Sequence, residues 1–379
     1  MPGKSPAERE ALERQNATIM AVFERAGFDH IAPDIIQPAD IFLERSGEDI
    51  RARTFVFSDP SGAEMCLRPD LTVPACRYHL SHVAKPDTET RYCYCGAAFR
   101  FPDEQLSPQE FTQAGLEWFA ASDPVAAEAR ILKLTIQALE AAGLGKFRVI
   151  LGDLGLFSAL LGDTDMPERW RRRLRHHFWR PAAFRDLLES FRAARDTRRT
   201  AISDLIDRLD GGSAREMVKA ELNSRRLPMV GLRDIDEITA RLSEKAADRR
   251  ETPLARAKAA QINAYLAIAS DVTAVPPHLA GIEGGEIFEG ARAYFERRIF
   301  EMEELGLNPR RFRFAATFGR ELEYYTGFTF QIEADAAHGP VAVAGGGRYD
   351  NLLLDMGSPV KVPAVGCAIH TDRLKAVLA

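Results

Sequence analysis

Several common signatures are missing from this sequence, and each absence removes a class of function. No stretch reads G-x-x-x-x-G-K-[ST], so a P-loop phosphate cradle is excluded. No G-x-G-x-x-G enters a helix, which excludes the dinucleotide fingerprint. No apolar run approaches the about 20 residues that cross a bilayer. Met1–Asn16 is rich in Glu and Arg and lacks the apolar stretch of a signal peptide, so a cytoplasmic protein is expected. Cysteine is scarce: Cys66, Cys76, Cys93, Cys95 and Cys367 include no CxxC pair, and no second Cys or His pair stands at ligand spacing. No metal site is therefore expected, and the thiols should be free and buried. Positive charge is not in excess. The formal net charge is -5, so the chain as a whole is no nucleic-acid sponge.

What is present is a globular chain of 379 residues, 46% apolar and 28% charged, long enough for two or three domains. Ala7–Ala26 reads as a helix with Leu12, Ile19 and Phe23 at helical spacing and Gly27 as its C-cap. Short strand-like runs follow: "RTFVFSD", "AEMCLRPD", "RYCYCGAAFRF" and "GLEWFAA", the first two joined by the turn "DPSG". Cys93 and Cys95 fall on one face of their strand. Asp123-Pro124 starts a helix that Gly143 stops, and "KFRVILGD" is another strand. From about Phe157 to Ser270 the composition turns helical and rich in Arg, Ala, Leu and Glu. "AVPPHLAGIEGGE" reads as a return linker. A helix over 287–305 and strands in "RFRFAATFG", "FTFQIEA", "PVAVAGG" and "AVGCAIH" complete the chain. Strands clustered on both sides of a helical insert make the fold α+β. The expected domains are 1–156 with 276–379, and a helical insertion at 157–275.

Four stretches carry polar residues suited to a site. "LRPDLTVPACR" supplies Asp70 and Thr72. "AAFRFPDEQLSPQEFTQAGLEWF" supplies Arg100, Gln113 and Glu117, the last two on one strand face. "FGRELEYYTGFTF" supplies Arg320, Tyr324 and Tyr325, and "VAVAGGGRYDNLL" bares the backbone at Gly345–Gly347. Each has a plain structural alternative: ion pairs for the arginines, half-buried packing for the tyrosines, a β-bulge for the glycines.

Taken together and in order, these stretches resemble the catalytic core of class II histidyl-tRNA synthetases. "GFDHIAPDIIQPADIF", with Pro33, is similar to motif 1, the segment from Ala97 to Phe119 to motif 2, and "AVGCAIHTDRL" to motif 3. "GRELEYYTGFTF" and "AGGGRYD" resemble the family's two histidine-specific signatures. The resemblance spans about Ala7–Ser158 and Glu286–Ala379 and implies an antiparallel sheet flanked by helices. It implies a histidine pocket: Asp70, Thr72 and Gln113 at the α-ammonium, Glu117 with Tyr324 or Tyr325 at the imidazole, Arg320 and Arg100 at the carboxylate, and Gly346 in the wall. A site built on such hydrogen bonds discriminates strongly against analogues that lack them.

The ATP side departs from the synthetases. After Arg100 the motif 2 loop reads "FPDEQLSP", with Asp103 and Glu104 and no arginine to meet a triphosphate. His370 stands where a glycine is expected, Asp70 where a glutamate is usual, and six residues follow Arg373 in this sequence, so the synthetases' anticodon domain is not expected. The combination resembles a synthetase paralogue family, the regulatory subunits of ATP phosphoribosyltransferase. That resemblance implies no catalytic residues, no cofactor, a short-form catalytic subunit as partner, histidine as feedback effector in histidine biosynthesis, and a self-dimer within a hetero-oligomer. The alternative enzyme is a truncated synthetase forming an aminoacyl adenylate. "RWRRRLRHHFWR" (Arg169–Arg180) raises an RNA-binding or partner-docking reading against that of a solvated helix with Trp170, Leu174 and His177 turned inward.

Overall fold

The computed structural model describes residues 3–45, 48–102, 109–192, 214–224, 235–319, 324–337 and 339–378. They group into two compact units, Met1–Thr164 with Ile262–Ala379, and Asp165–Gln261. These boundaries fall inside the 157–275 read from composition, for a local reason at each end. Helix Leu154–Gly162 starts on Asp153, the last residue of a sheet strand. The strand Ala269–Asp271 pairs back into the same sheet.

In the first unit the strands are β1 (Asp29–His30), β2 (Ile36–Pro38), β3 (Val56–Ser58), β4 (Glu64–Leu67), β5 (Thr90–Phe99), β6 (Glu110–Phe119), β7 (Arg148–Asp153), β8 (Ala269–Asp271), β9 (Phe312–Ala315), β10 (Phe328–Ala336), β11 (Gly339–Arg348) and β12 (Ala364–His370). Among the described residues, nine form one sheet ordered β1-β5-β6-β12-β11-β10-β7-β9-β8. Its pairs are antiparallel except β1–β5 and β7–β9. β2, β4 and β3 form a separate small sheet. Its hairpin turns on Asp59, whose side chain accepts from the Ser61 and Ala63 amides at 2.8 and 3.0 Å, with Gly62 at φ 89°.

Helix Pro6–Arg25 opens with a capping box between Ser5 and Glu8 and buries Leu12, Ile19 and Phe23. Helix Pro124–Ala141 opens on Asp123, which accepts from the Val125 and Ala126 amides. It lies against β11 and β12, with helices Pro6–Arg25 and Glu286–Glu304 beside it. The segment read as a return linker contains helix Val275–Ala280 instead. Its Pro276 and Pro277 sit in the first turn, where a missing N–H costs nothing. Cys66, Cys76, Cys93 and Cys367 are free and buried, and Cys95 is free and half-buried.

The helical unit contains the arginine-rich helix Glu168–His176. Trp170 and Leu174 are buried, while His177 is half-buried. Trp170 stacks on Phe191, with ring centroids 4.3 Å apart, and donates its indole N–H to Asp248 at 2.6 Å. The arginines are answered locally: Arg169 by Asp248 and Glu251, Arg173 by Asp248, Arg172 by Glu244, and Arg171 and Arg175 by Glu168.

Candidate functional site

Strand register builds the site. Residues paired across an antiparallel ladder share a face, as do residues two apart. One row on the front face therefore reads Tyr94, Gly115, Ala368, Gly345, Gln331; the next reads Tyr92, Glu117, Gly366, Gly347, Thr329. The middle of each row is small, so the sheet is hollowed there while larger side chains form a rim. The hollow is a cavity of about 320 Å³ lined by Asp70, Thr72, Arg100, Gln113, Phe318, Gly319, Tyr324, Tyr325, Gln331, Gly345, Tyr349, Gly366, Ala368 and His370, among others.

One end of the cavity is rich in acceptors. Asp70 is 4% exposed. Its Oδ1 accepts from the Val73 amide at 3.2 Å, at the start of helix Thr72–His82. Its Oδ2 is buried with no partner among the described residues, as is Oε1 of Gln113. Burial pushes the Asp70 carboxyl above its usual range against the pull of Arg100. Arg100 donates through Nε to the Pro69 carbonyl at 2.7 Å and lies over the Phe111 ring. Arg68 ties Pro33, the motif 1 proline, to the sheet by donating to the carbonyls of Pro33 and Ala97.

The floor holds a buried carboxylate. Glu117 is fully buried and accepts from the Tyr94 hydroxyl at 2.8 Å and from the Tyr349 hydroxyl. Burial raises its pKa to about 7 against those hydrogen bonds. It fits because Gly366 has no side chain: a Cβ there would stand 1.5 Å from Glu117 Oε2. Tyr94 also approaches Thr72, with 3.5 Å between hydroxyls.

Six of the nine residues expected at a histidine site, Asp70, Thr72, Arg100, Gln113, Tyr324 and Tyr325, line this cavity. Arg320 lies outside the described residues, as do Asp103 and Glu104 of the motif 2 loop. Glu117 lies beneath the floor, already held by two tyrosines, and does not face the cavity directly. Gly346 points the other way: a Cβ there would meet Cys367 Cβ and Phe330 at 2.8 Å, so the wall glycine is its neighbour Gly345. Tyr94, Tyr349 and Gly366 were not picked out from sequence. The two-residue alternation in "RYCYCG" and "GGGRYD" would locate the tyrosines once the face of one strand is fixed.

Beside the cavity, and sharing Arg100 and His370, is a hollow of about 70 Å³ that includes Arg53, Phe111, Asp372 and Arg373. His370 is buried with its ring 5.6 Å from Phe111. Behind the sheet, Arg348 donates to Glu128 at 2.9 Å and to Asp350 at 2.7 Å, and Arg298 bridges Glu128 and Asp153. The signature "AGGGRYD" thus sends Tyr349 forward and Arg348 back.

Among the described residues no group of three or more His, Cys, Asp or Glu is placed to hold a metal, and no helix is long and apolar enough to cross a membrane.

The fold and site define a class. The family described as histidyl-tRNA synthetase matches residues 4–252 and 233–374. A solved structure titled ATP phosphoribosyltransferase regulatory subunit/histidyl-tRNA synthetase, from Bacillus halodurans, superposes with TM-score 0.70 at 20% identity, covering 100% of this chain and 82% of that one. The histidyl-tRNA synthetase of Nostoc sp. does so with TM-score 0.62 at 17% identity, covering 100% and 73%. This is the class II histidyl-tRNA synthetase-like fold. Curated relatives narrow the class. The ATP phosphoribosyltransferase regulatory subunit of Chelativorans sp. is 35% identical over 350 residues, 90% of this chain and 91% of that protein. Its counterpart in Sinorhizobium fredii is 32% identical over 376 residues, 95% and 96%. The chain belongs to the histidyl-tRNA synthetase family and, within it, to the ATP phosphoribosyltransferase regulatory subunits.

Proposed function

We propose that this chain does no chemistry itself and is the histidine sensor of a cytoplasmic ATP phosphoribosyltransferase, self-dimeric and assembled with short-form catalytic subunits. One observation carries the histidine reading. Asp70 Oδ2 and Gln113 Oε1 are buried acceptors without partners among the described residues, beside a built cavity. A buried acceptor left unmade is costly, so the site calls for a donor-rich ligand end such as an α-ammonium. Arg100 is placed to face a carboxylate, and tyrosines and Gln331 surround the space for a polar ring.

The nucleotide side supports a sensor over an enzyme. The loop after Arg100 carries no arginine in residues 101–108 and two carboxylates instead, so a triphosphate would meet repulsion where a charge-assisted hydrogen bond is needed. Histidine in the cavity favours one arrangement of the complex and lowers the partner's rate. A coupling of about 1–3 kcal/mol suffices for feedback.

The test is to add the chain to a short-form catalytic subunit and measure phosphoribosyl-ATP formation with and without histidine. The expected result is a changed rate and an acquired sensitivity to histidine. A rate unchanged by the chain, with histidine or without it, overturns the reading. ATP–pyrophosphate exchange with histidine, which only an adenylate-forming enzyme supports, is expected to be silent.

A further inference from the structure

Arg68 is 4% exposed, and among the described residues its guanidinium is hydrogen-bonded to carbonyls rather than to a carboxylate. Nε donates to Ala97 at 2.7 Å, and Nη1 donates to Pro33. Burial lowers its pKa against the pull of Tyr94, Asp34 and Asp70. A buried charge is costly to keep, yet a seat is cleared for this one. Gly96 on β5 has no side chain, and a Cβ there would stand 2.4 Å from Arg68 Nη2. Gly96 pairs with Gln113 across the ladder, so the guanidinium lies on the front of the sheet, in the row of Gln113. The main chain is gripped at the same place. The Arg68 amide donates to the Ile35 carbonyl at 2.9 Å, the Arg68 carbonyl accepts from the Phe99 amide at 3.0 Å, and the Pro69 carbonyl accepts from Arg100 Nε at 2.7 Å. Asp70 stands at the end of this grip. Arg100 and Arg68 both act on its carboxyl, yet among the described residues Oδ2 receives no hydrogen bond. The tethers account for this: Arg68 is held by two carbonyls and Arg100 by a third, so neither is drawn onto Oδ2.

We propose that Arg68 is a positioning residue of the ligand site: anchored on Ala97 and Pro33, it fixes the segment that carries Asp70 and leaves Asp70 Oδ2 to the α-ammonium of the ligand. The inference rests on the histidine reading above and deepens it: Asp70 meets the ligand, and Arg68 acts through Asp70. A loose guanidinium beside a buried carboxylate would pair with it, and a ligand would first have to break that pair. An anchored one lends its field to the carboxylate and leaves the oxygen unmade, which is preorganisation of the site before the ligand arrives. The seat at Gly96 is the device that permits it.

The experiment is isothermal titration calorimetry of the full chain at about pH 7, where an α-ammonium is charged. The probes are L-histidine and imidazole-4-propionate, which keeps the ring and the carboxylate and lacks the α-ammonium. The wild-type chain is expected to prefer histidine by about tenfold or more, the effect of one charged hydrogen bond. Arg68→Met is expected to bind histidine about tenfold more weakly, the scale of one side chain left to be ordered on binding. Its affinity for imidazole-4-propionate should change little, so the preference shrinks. An arginine that only braces the sheet would weaken both ligands alike and keep their ratio. That result overturns the proposal, as does an unchanged histidine affinity in Arg68→Met. Gly96→Ala unseats the guanidinium and leaves the main-chain bonds of residues 68–70 in place. It is expected to shrink the preference in the same direction and serves if Arg68→Met does not fold. Asp70→Asn separates this inference from its base: it should abolish the preference with Arg68 intact. If the wild type shows no preference, or the preference survives in Asp70→Asn, the ammonium reading falls and takes the inference with it. A preference lost in Asp70→Asn and kept in Arg68→Met and Gly96→Ala overturns the inference alone.

Discussion

Two polar regions of the molecule, the arginine-rich helix and the cavity, differ in how their polarity is answered. Helix Glu168–His176 carries five arginines, at positions 169, 171, 172, 173 and 175, and each has a carboxylate partner within its own unit. The cavity has fewer charges, yet Asp70 Oδ2 and Gln113 Oε1 are buried without partners among the described residues. The network behind the sheet, Arg298, Arg348, Glu128, Asp153 and Asp350, follows the helix rule: it is buried and its charges are paired. Abundant charge marks internal bracing in this protein. Buried polar atoms without a partner among the described residues also occur at Asn16, Arg173, Trp179, Arg292 and Thr329, but Asp70 and Gln113 are the two of this set that line the cavity.

Breaking an answered cluster should cost the most. Glu128→Ala leaves Arg298 and Arg348 short of a buried partner and is expected to destabilise the fold by about 3–5 kcal/mol in urea unfolding. A loss under about 1 kcal/mol would show that the network is not dry. Two buried carboxylates without a paired cation should behave in the opposite sense. Glu117 holds its proton up to about 7 because burial outweighs its hydrogen bonds. An unfolded glutamic acid loses its proton near 4.3, so the folded chain binds more protons in between. Stability is then expected to fall as pH rises from about 4.5 to about 7, with Asp70 acting in the same direction. Urea midpoints across that window should flatten in Glu117→Gln.

Gly366→Ala tests the packing that permits the floor. With its Cβ at 1.5 Å from Glu117 Oε2, it should cost about 1–3 kcal/mol and weaken histidine binding together. Normal binding would mean that Glu117 can move without consequence. At the small end, Arg172→Ala removes an exposed ion pair with Glu244 and should change stability by less than about 1 kcal/mol. It should leave histidine binding unchanged. A large loss of histidine response in the assembled complex would return that helix to the list of docking surfaces.

How much of this was legible in the residues follows from the range of the interactions. The helix start at Asp123-Pro124 was readable because its signal is local. The polar set of the cavity was readable because its motifs resemble a known family. The faces were harder. Gly345 and Gly346 differ by one residue and point in opposite directions, and only the register with Ala368 and Gln331 decides between them. Glu117 appeared to be a ligand contact because nothing in the sequence places Tyr94 and Tyr349 over it. The rear network was invisible, since Arg348 and Glu128 are 220 positions apart and Arg298 and Asp153 are 145 apart. The double proline at Pro276-Pro277 suggested a linker, because a proline pair in a helix's first turn and one in a loop look alike.

The central claim is that the cavity grips histidine by answering Asp70 and Gln113. Calorimetric titration of the full chain with L-histidine, wild type against Asp70→Ala, tests it most directly. The account predicts saturable binding in the wild type and affinity lower by about 100-fold in Asp70→Ala, the effect of a lost charged hydrogen bond, with the variant folding at least as stably. Equal affinity in the two proteins, or no binding to the wild type, would contradict it.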